Sequence, residues 1–128
     1  DWFRMLIERY EIYPLKVGYD RYTAQYLVQD MAAYGFQMDD VFQGFNLTPV
    51  IRETEGLLKD GAFCIGDNDL LKAHLLNMGM KTEVESGRMR PVKISVTDHI
   101  DGGAALLDAM TVRQKWAAEI GQQLKNEE

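Results

Sequence analysis

Apolar and polar positions alternate along this chain at two spacings, one helical and one extended. Trp2, Met5, Leu6 and Arg9 repeat at helical spacing over residues 1–11, and Pro14 ends that run. Leu15–Tyr19 reads as a short buried strand ending at Asp20. A helix is expected over Arg21–Tyr34, with Ala24, Leu27, Val28 and Met31 on one face and Gly35 as its stop. Asp40–Gln43 reads as a short strand closed by Gly44. Thr48 is then an N-cap with Pro49 at the first helical position, and this helix runs to about Asp60 before Gly61. A brief strand is expected at Ala62–Ile65. Asp67 or Asn68 caps the next helix, which reaches Asn77. Met80–Glu85 and Met89–Val96 read as a hairpin around Ser86-Gly87, with Pro91 limiting the second strand. The last helix starts near Asp98–Asp101 and carries the stripe Ala105, Ala109, Val112, Trp116 and Ile120. Residues 121–128 read as a frayed polar tail. Strands alternating with helices, then a hairpin and a long closing helix, define an α/β chain.

Composition narrows what such a chain can be. With 128 residues and 46% hydrophobic residues, one compact domain over residues 1–120 can bury a core. No apolar run is long enough to span a bilayer, so no membrane association is expected. Cys64 is the single cysteine, which excludes an internal disulfide and suits a reducing compartment such as cytoplasm. His74 and His99 are too far apart in sequence, and too lacking in cysteine partners, for a structural zinc site. A net charge of −6 opposes nucleic-acid binding by counterion release, yet suits carboxylates that hold a divalent metal which in turn meets phosphate. Neither a phosphate-binding glycine loop nor a serine or cysteine nucleophile motif occurs.

The candidate chemistry is carboxylate chemistry. Asp20 follows a short apolar strand and precedes a helix, the place where α/β sheets present ligand-binding groups; it is equally a helix cap. Asp101 lies in Thr97-Asp98-His99-Ile100-Asp101-Gly102-Gly103. Its glycines permit close approach of backbone or phosphate. A carboxylate in the first helical turn can reach a metal, or can simply answer the helix dipole with Asp98 as cap. Lys93, on the strand before them, is placed to contact phosphate or pair with a carboxylate; a solvated edge lysine reads the same way. Asp67 and Asp69 read as caps, Met78 and Met80 as core. The series Tyr10, Tyr13, Tyr19, Tyr22, Tyr26 and Tyr34 reads as packing rather than base stacking.

Taken in order, several short segments resemble the C-terminal part of the nuclease domain of tailed-phage terminase large subunits. They are Lys16–Ala24, Gly35-Phe36, Val41–Phe45 with Thr48-Pro49, Gly66-Asp67-Asn68, Leu76-Asn77, Pro91-Val92-Lys93, and Ile100–Leu107. Their shared order and spacing, across roughly residues 10 to 115, carries the resemblance. It implies an RNase H-like nuclease fold, here lacking its first strands. It also implies a metal-dependent endonuclease that cuts concatemeric viral DNA during genome packaging. Asp20 matches the acid ending the second acid-bearing strand, and Asp101 the one opening the closing helix. Asp98 and Lys93 are possible accessories.

The family's remaining acid lies on a strand upstream of Asp1. Two Mg²⁺ or Mn²⁺ ions are the implied cofactors. Double-stranded DNA, the terminase small subunit and the portal protein are the implied partners, in the cytoplasm of a host cell. Where the family often has His-Gly-Asn before its middle helix, this chain has Ile65-Gly66-Asp67-Asn68, so no histidine role carries over. A chain without its first acid-bearing strand is expected to cut DNA poorly or not at all by itself, and either to self-associate or to be the ordered remnant of a longer polypeptide. Two other readings remain: a non-catalytic interaction module, and another RNase H-like nuclease of junction-resolvase or transposase type.

Overall fold

A computed structural model describes residues 2–21 and 25–126. Helix α1 (Trp2–Tyr10) has no buried residue and meets the rest through Phe3, whose ring lies 5.4 Å from that of Phe36. Strand β1 (Val17–Asp20) and strand β2 (Met38–Val41) pair in parallel, Val17 opposite Met38 and Asp20 opposite Val41. A parallel pair needs a crossover, supplied by helix α2 (Gln25–Tyr34), which Gly35 ends at φ +111°. Tyr22–Ala24, where the pattern places the first turn of this helix, lie outside the described residues.

β2 starts two residues before the expected Asp40. Asp39 and Asp40 mask it as polar, but tertiary partners answer both charges: Asp39 accepts from Trp116 Nε1 (2.6 Å), and Asp40 pairs with Arg21 (2.7 Å).

A 3₁₀ turn (Phe45–Leu47) leads into helix α3 (Thr48–Lys59). Thr48 is therefore not the N-cap; that position is Leu47. The Thr48 hydroxyl instead donates to the Phe45 carbonyl (2.6 Å) and accepts from the Met89 amide (2.9 Å), tying α3 to the later hairpin. The expected strand Ala62–Ile65 does not form. The Ala62 and Phe63 amides both turn back to the Leu57 carbonyl, closing α3 around Gly61 at φ +68°.

Helix α4 (Asp69–Leu76) is capped by the Asn68 side chain, which accepts from the Leu71 amide at 3.0 Å. Strands β3 (Met78–Thr82) and β4 (Met89–Lys93) form an antiparallel hairpin shorter than the apolar pattern suggests. Pro91 faces Met80, which a two-stranded ribbon tolerates because each strand has an open edge.

The closing helix is two helices, α5 (Asp101–Lys115) and α6 (Ala117–Asn126), broken at Trp116, whose indole is turned to Asp39. Residues 121–126, expected to fray, are helical. The stripe read on this helix holds at Val112 and Trp116 and fails at its first two positions. Ala105 and Ala109 are exposed, and the buried positions of α5 are Gly103, Leu107, Asp108, Met110 and Val112. Leu107, Met110 and Val112 join Val41, Leu47, Val50 and Ile51 in the core, with Met78, Met89 and Trp116 packed against it.

The tyrosines pack unevenly: Tyr19 is half-buried in β1 and Tyr34 stacks on Phe36 at 5.8 Å, whereas Tyr10, Tyr13 and Tyr26 are exposed, and Tyr22 lies outside the described residues. Among the described residues no helix is long and apolar enough to cross a membrane.

Candidate active site on the β1–α5 face

Gly18 lets β1 lie directly on α5. A Cβ at that position would stand 2.5 Å from the Asp108 carbonyl oxygen and 3.2 Å from Val112 Cγ1. Two residues earlier, Lys16 reaches the far end of the same face, 4.5 Å above the Trp116 ring and 3.0 Å from Glu119. The chain of β1 therefore travels from the C-terminal end of α5 towards its N-terminal end. Asp20 is half-buried at the end of the strand, and its charge is felt by Asp108 on α5.

One carboxylate on this face is missed by the sequence pattern. Asp108 is 8% exposed, at mid-helix, and its Oδ1 accepts from Gln43 Nε2, which also lies 3.3 Å from the Ala104 carbonyl oxygen. Burial pushes the Asp108 carboxyl up to about 6; the Gln43 hydrogen bond opposes the rise, and the charge of Asp20 adds to it. Asp20 and Asp108 thus share one electrostatic environment. The signal was an acid inside Leu106-Leu107-Asp108-Ala109-Met110 with no cation four residues away on either side, where Ala104 and Val112 stand.

Asp101 is placed differently. It is the first residue of α5, and its side chain is 85% exposed, with His99 Nδ1 3.7 Å away. Seven residues separate it from Asp108, about 10 Å along the helix axis. Asp98 is not the cap: the N-cap is Ile100, with no side-chain capping bond, and the Asp98 amide donates to Ser95 in a turn. Instead His74, on α4, accepts from the Gly102 amide at 2.8 Å. The glycines after Asp101 also face protein: Gly102 lies against His74 and Leu71, and Gly103 against Met78. Lys93 is exposed at the end of β4, and among the described residues it forms no ion pair.

Among the described residues, no group of three or more His, Cys, Asp or Glu side chains is gathered to hold a metal ion. The donor set fits a divalent cation in kind, since Asp20 and Asp101 offer hard carboxylate oxygens.

No curated protein and no solved structure matches the chain. One family does: the terminase large subunit endonuclease domain matches residues 7–118, a span that takes in β1, β2, the hairpin and all of α5. With most of its length inside that match, the chain belongs to the terminase large subunit endonuclease domain family, nucleases of DNA packaging.

Proposed function

We propose that this chain is part of an RNase H-like, metal-dependent endonuclease that cleaves concatemeric viral DNA during genome packaging, with Asp20 and Asp101 as its metal-holding carboxylates. The observation that carries this reading is directional. β1 crosses α5 at Gly18 and heads towards the end of the helix that Asp101 opens, a direction that supports a strand-end acid and a helix-start acid serving one site.

Asp20 and Asp101 would hold Mg²⁺ or Mn²⁺ through their carboxylate oxygens. When bound, such ions stabilise the charge on the attacking and leaving oxygens of a phosphodiester. Asp20 contributes a carboxylate fixed by its strand. Asp101 contributes one that is open to solvent and to an approaching DNA backbone. Asp98 and Lys93 stay at the margin, Asp98 beside the entry to α5 and Lys93 as a free-standing cation for phosphate. Double-stranded DNA is the substrate, and the small subunit and portal are the partners of the full packaging assembly in a phage-infected or prophage-bearing cell.

The test is plasmid cleavage by the full-length protein carrying Asp20→Asn or Asp101→Asn, with Mg²⁺ or Mn²⁺, beside thermal melts. Each variant should lose more than about 100-fold in rate, because even residues that only support metal ligands cost about 10- to 100-fold. Both should melt close to the parent, because Asn replaces Asp well at a helix or strand end. Undiminished cleavage by both variants would remove the assignment.

A further inference from the structure

We propose that helix α4 sets the position of Asp101 and that His74 and Asn77 are the positioning residues; this rests on the reading of Asp101 as a metal-holding carboxylate. With its side chain 85% exposed and the open His99 the ion-pair partner it has among the described residues, Asp101 has little packing of its own to fix it. Its place must come from its backbone, and the backbone is gripped on both sides.

After the acid, the Gly102 amide donates to His74 Nδ1 at 2.8 Å. Before it, the His99 carbonyl accepts from Asn77 Nδ2 at 3.1 Å. Asn77, the C-cap of α4, follows His74 by three residues and so lies on the same side of that helix. A third bond, from the Ile94 amide to the Asn77 carbonyl (3.0 Å), fixes the chain as it leaves β4. α5 begins without a capping side chain of its own, and one of its unpaired first-turn N–H groups is answered by His74.

Side-chain volume tells the same story. A Cβ on residue 102 would stand 3.0 Å from His74 Nδ1 and 3.3 Å from Leu71 Cδ1, so Gly102 is what allows α4 this close. Because Nδ1 accepts, the imidazole carries its proton on Nε2, and an acceptor one atom beyond Cγ is the feature that matters. An asparagine carbonyl can offer an acceptor at that position; leucine cannot.

The experiment uses the full-length protein with His74→Leu, His74→Asn, Asn77→Ala and Asp101→Asn. Mn²⁺ affinity is read by electron paramagnetic resonance of the free ion, and plasmid cleavage is followed against Mn²⁺ concentration. His74→Leu should weaken Mn²⁺ binding and cleavage by about 10- to 100-fold, the range seen when the support of a metal ligand is removed. His74→Asn should restore most of both. Asn77→Ala should shift both in the same direction by less. Parent-like Mn²⁺ affinity and cleavage in His74→Leu would overturn the proposal, as would His74→Asn being as impaired as His74→Leu. If His74→Leu is unfolded at the assay temperature, Asn77→Ala decides: a weaker Mn²⁺ response supports the proposal and a parent-like one overturns it. Asp101→Asn separates the two levels. If it binds Mn²⁺ and cleaves like the parent, the reading of Asp101 fails and this inference with it. If it is inactive while His74→Leu is not, only the role of α4 falls.

Discussion

Asp101 and Asp108 belong to one helix, two turns apart, and meet opposite surroundings. Asp101 opens α5 with its carboxylate in solvent and its backbone held by α4. Asp108 is sealed between α5, β1 and Gln43, with a second carboxylate, Asp20, near enough to raise its pKa. An open acid keeps its ligand-binding oxygens available and adds little to stability. A sealed acid can shape the fold, and it carries a desolvation cost whenever it ionises. The two should therefore separate cleanly under mutation, one governing chemistry and the other stability.

The largest effect is expected where the sealed end is tightest. Gly18→Ala places a methyl 2.5 Å from the Asp108 carbonyl oxygen and 2.9 Å from its carbonyl carbon, both backbone atoms of a helix. Neither can yield unless β1 lifts off α5. A loss of about 3 kcal/mol is expected, the upper part of the overpacking range. A calorimetric melt of Gly18→Ala that stays within a degree of the parent would mean that β1 and α5 are not in this contact.

Next comes the pH dependence of the sealed acid. Its folded value is about 6 and its ordinary value 3.8, so the folded state keeps the proton to higher pH than the unfolded chain. Its contribution to stability is therefore fully present below about pH 4, declines as pH rises towards 6, and stays lost above that. The difference is on the order of 3 kcal/mol. Asp108→Asn cannot ionise and keeps an oxygen for Gln43. It should melt higher than the parent at pH 7.5, and this advantage should vanish at pH 4. Parallel melting curves for the two proteins across that window would refute the burial argument, whatever other carboxylates do.

A smaller change isolates Gln43. Its Nε2 bonds Asp108, while its Oε1 is buried without a partner among the described residues. Gln43→Leu removes the hydrogen bond that opposes the rise in the Asp108 pKa, and it also removes a buried unpaired oxygen. Because these effects oppose each other, the net stability change at pH 7.5 should be about 1 kcal/mol. The window of pH-dependent melting should move upward. An unmoved window would show that the amide does not tune the carboxylate.

These particulars also show what a sequence can and cannot reveal. α1, the existence of β1 and the end of α2 at Gly35, the Asn68 cap and the hairpin were legible because each rests on local signals: period, proline, glycine and cap chemistry. Asp20 and Asp101 were legible as a strand-end and a helix-start acid. Asp108 was not, because a polar residue in the middle of an apolar face breaks the very period used to find that face. The apolar period instead runs through the exposed Ala105 and Ala109 before it reaches the buried Val112. β2 was shifted for a related reason, since Asp39 is paired by Trp116 and Lys115, 77 and 76 residues away. The strand expected at Ala62–Ile65 failed because strand propensity without a partner strand loses to a helix ending. The grip of His74 on Gly102 joins residues 28 apart, and no local pattern announces it.

The smallest expected effect completes the contrast. Asp101→Asn should change folding stability by no more than about 0.5 kcal/mol, the low end of what a first-turn charge contributes to a helix dipole. That corresponds to roughly 2 °C in a melt of a chain this size. Cleavage by the full-length protein should nevertheless be lost, whereas Asp108→Asn, which moves the melting curve, should leave cleavage within a few fold. The informative measurement is the pair, with both variants assayed and melted in the same buffer. A pattern in which Asp108→Asn is inactive and Asp101→Asn is not would exchange the two roles. It would place the working carboxylates at Asp20 and Asp108, on the buried side of α5, and leave the exposed acid as a helix-start charge held in place by His74.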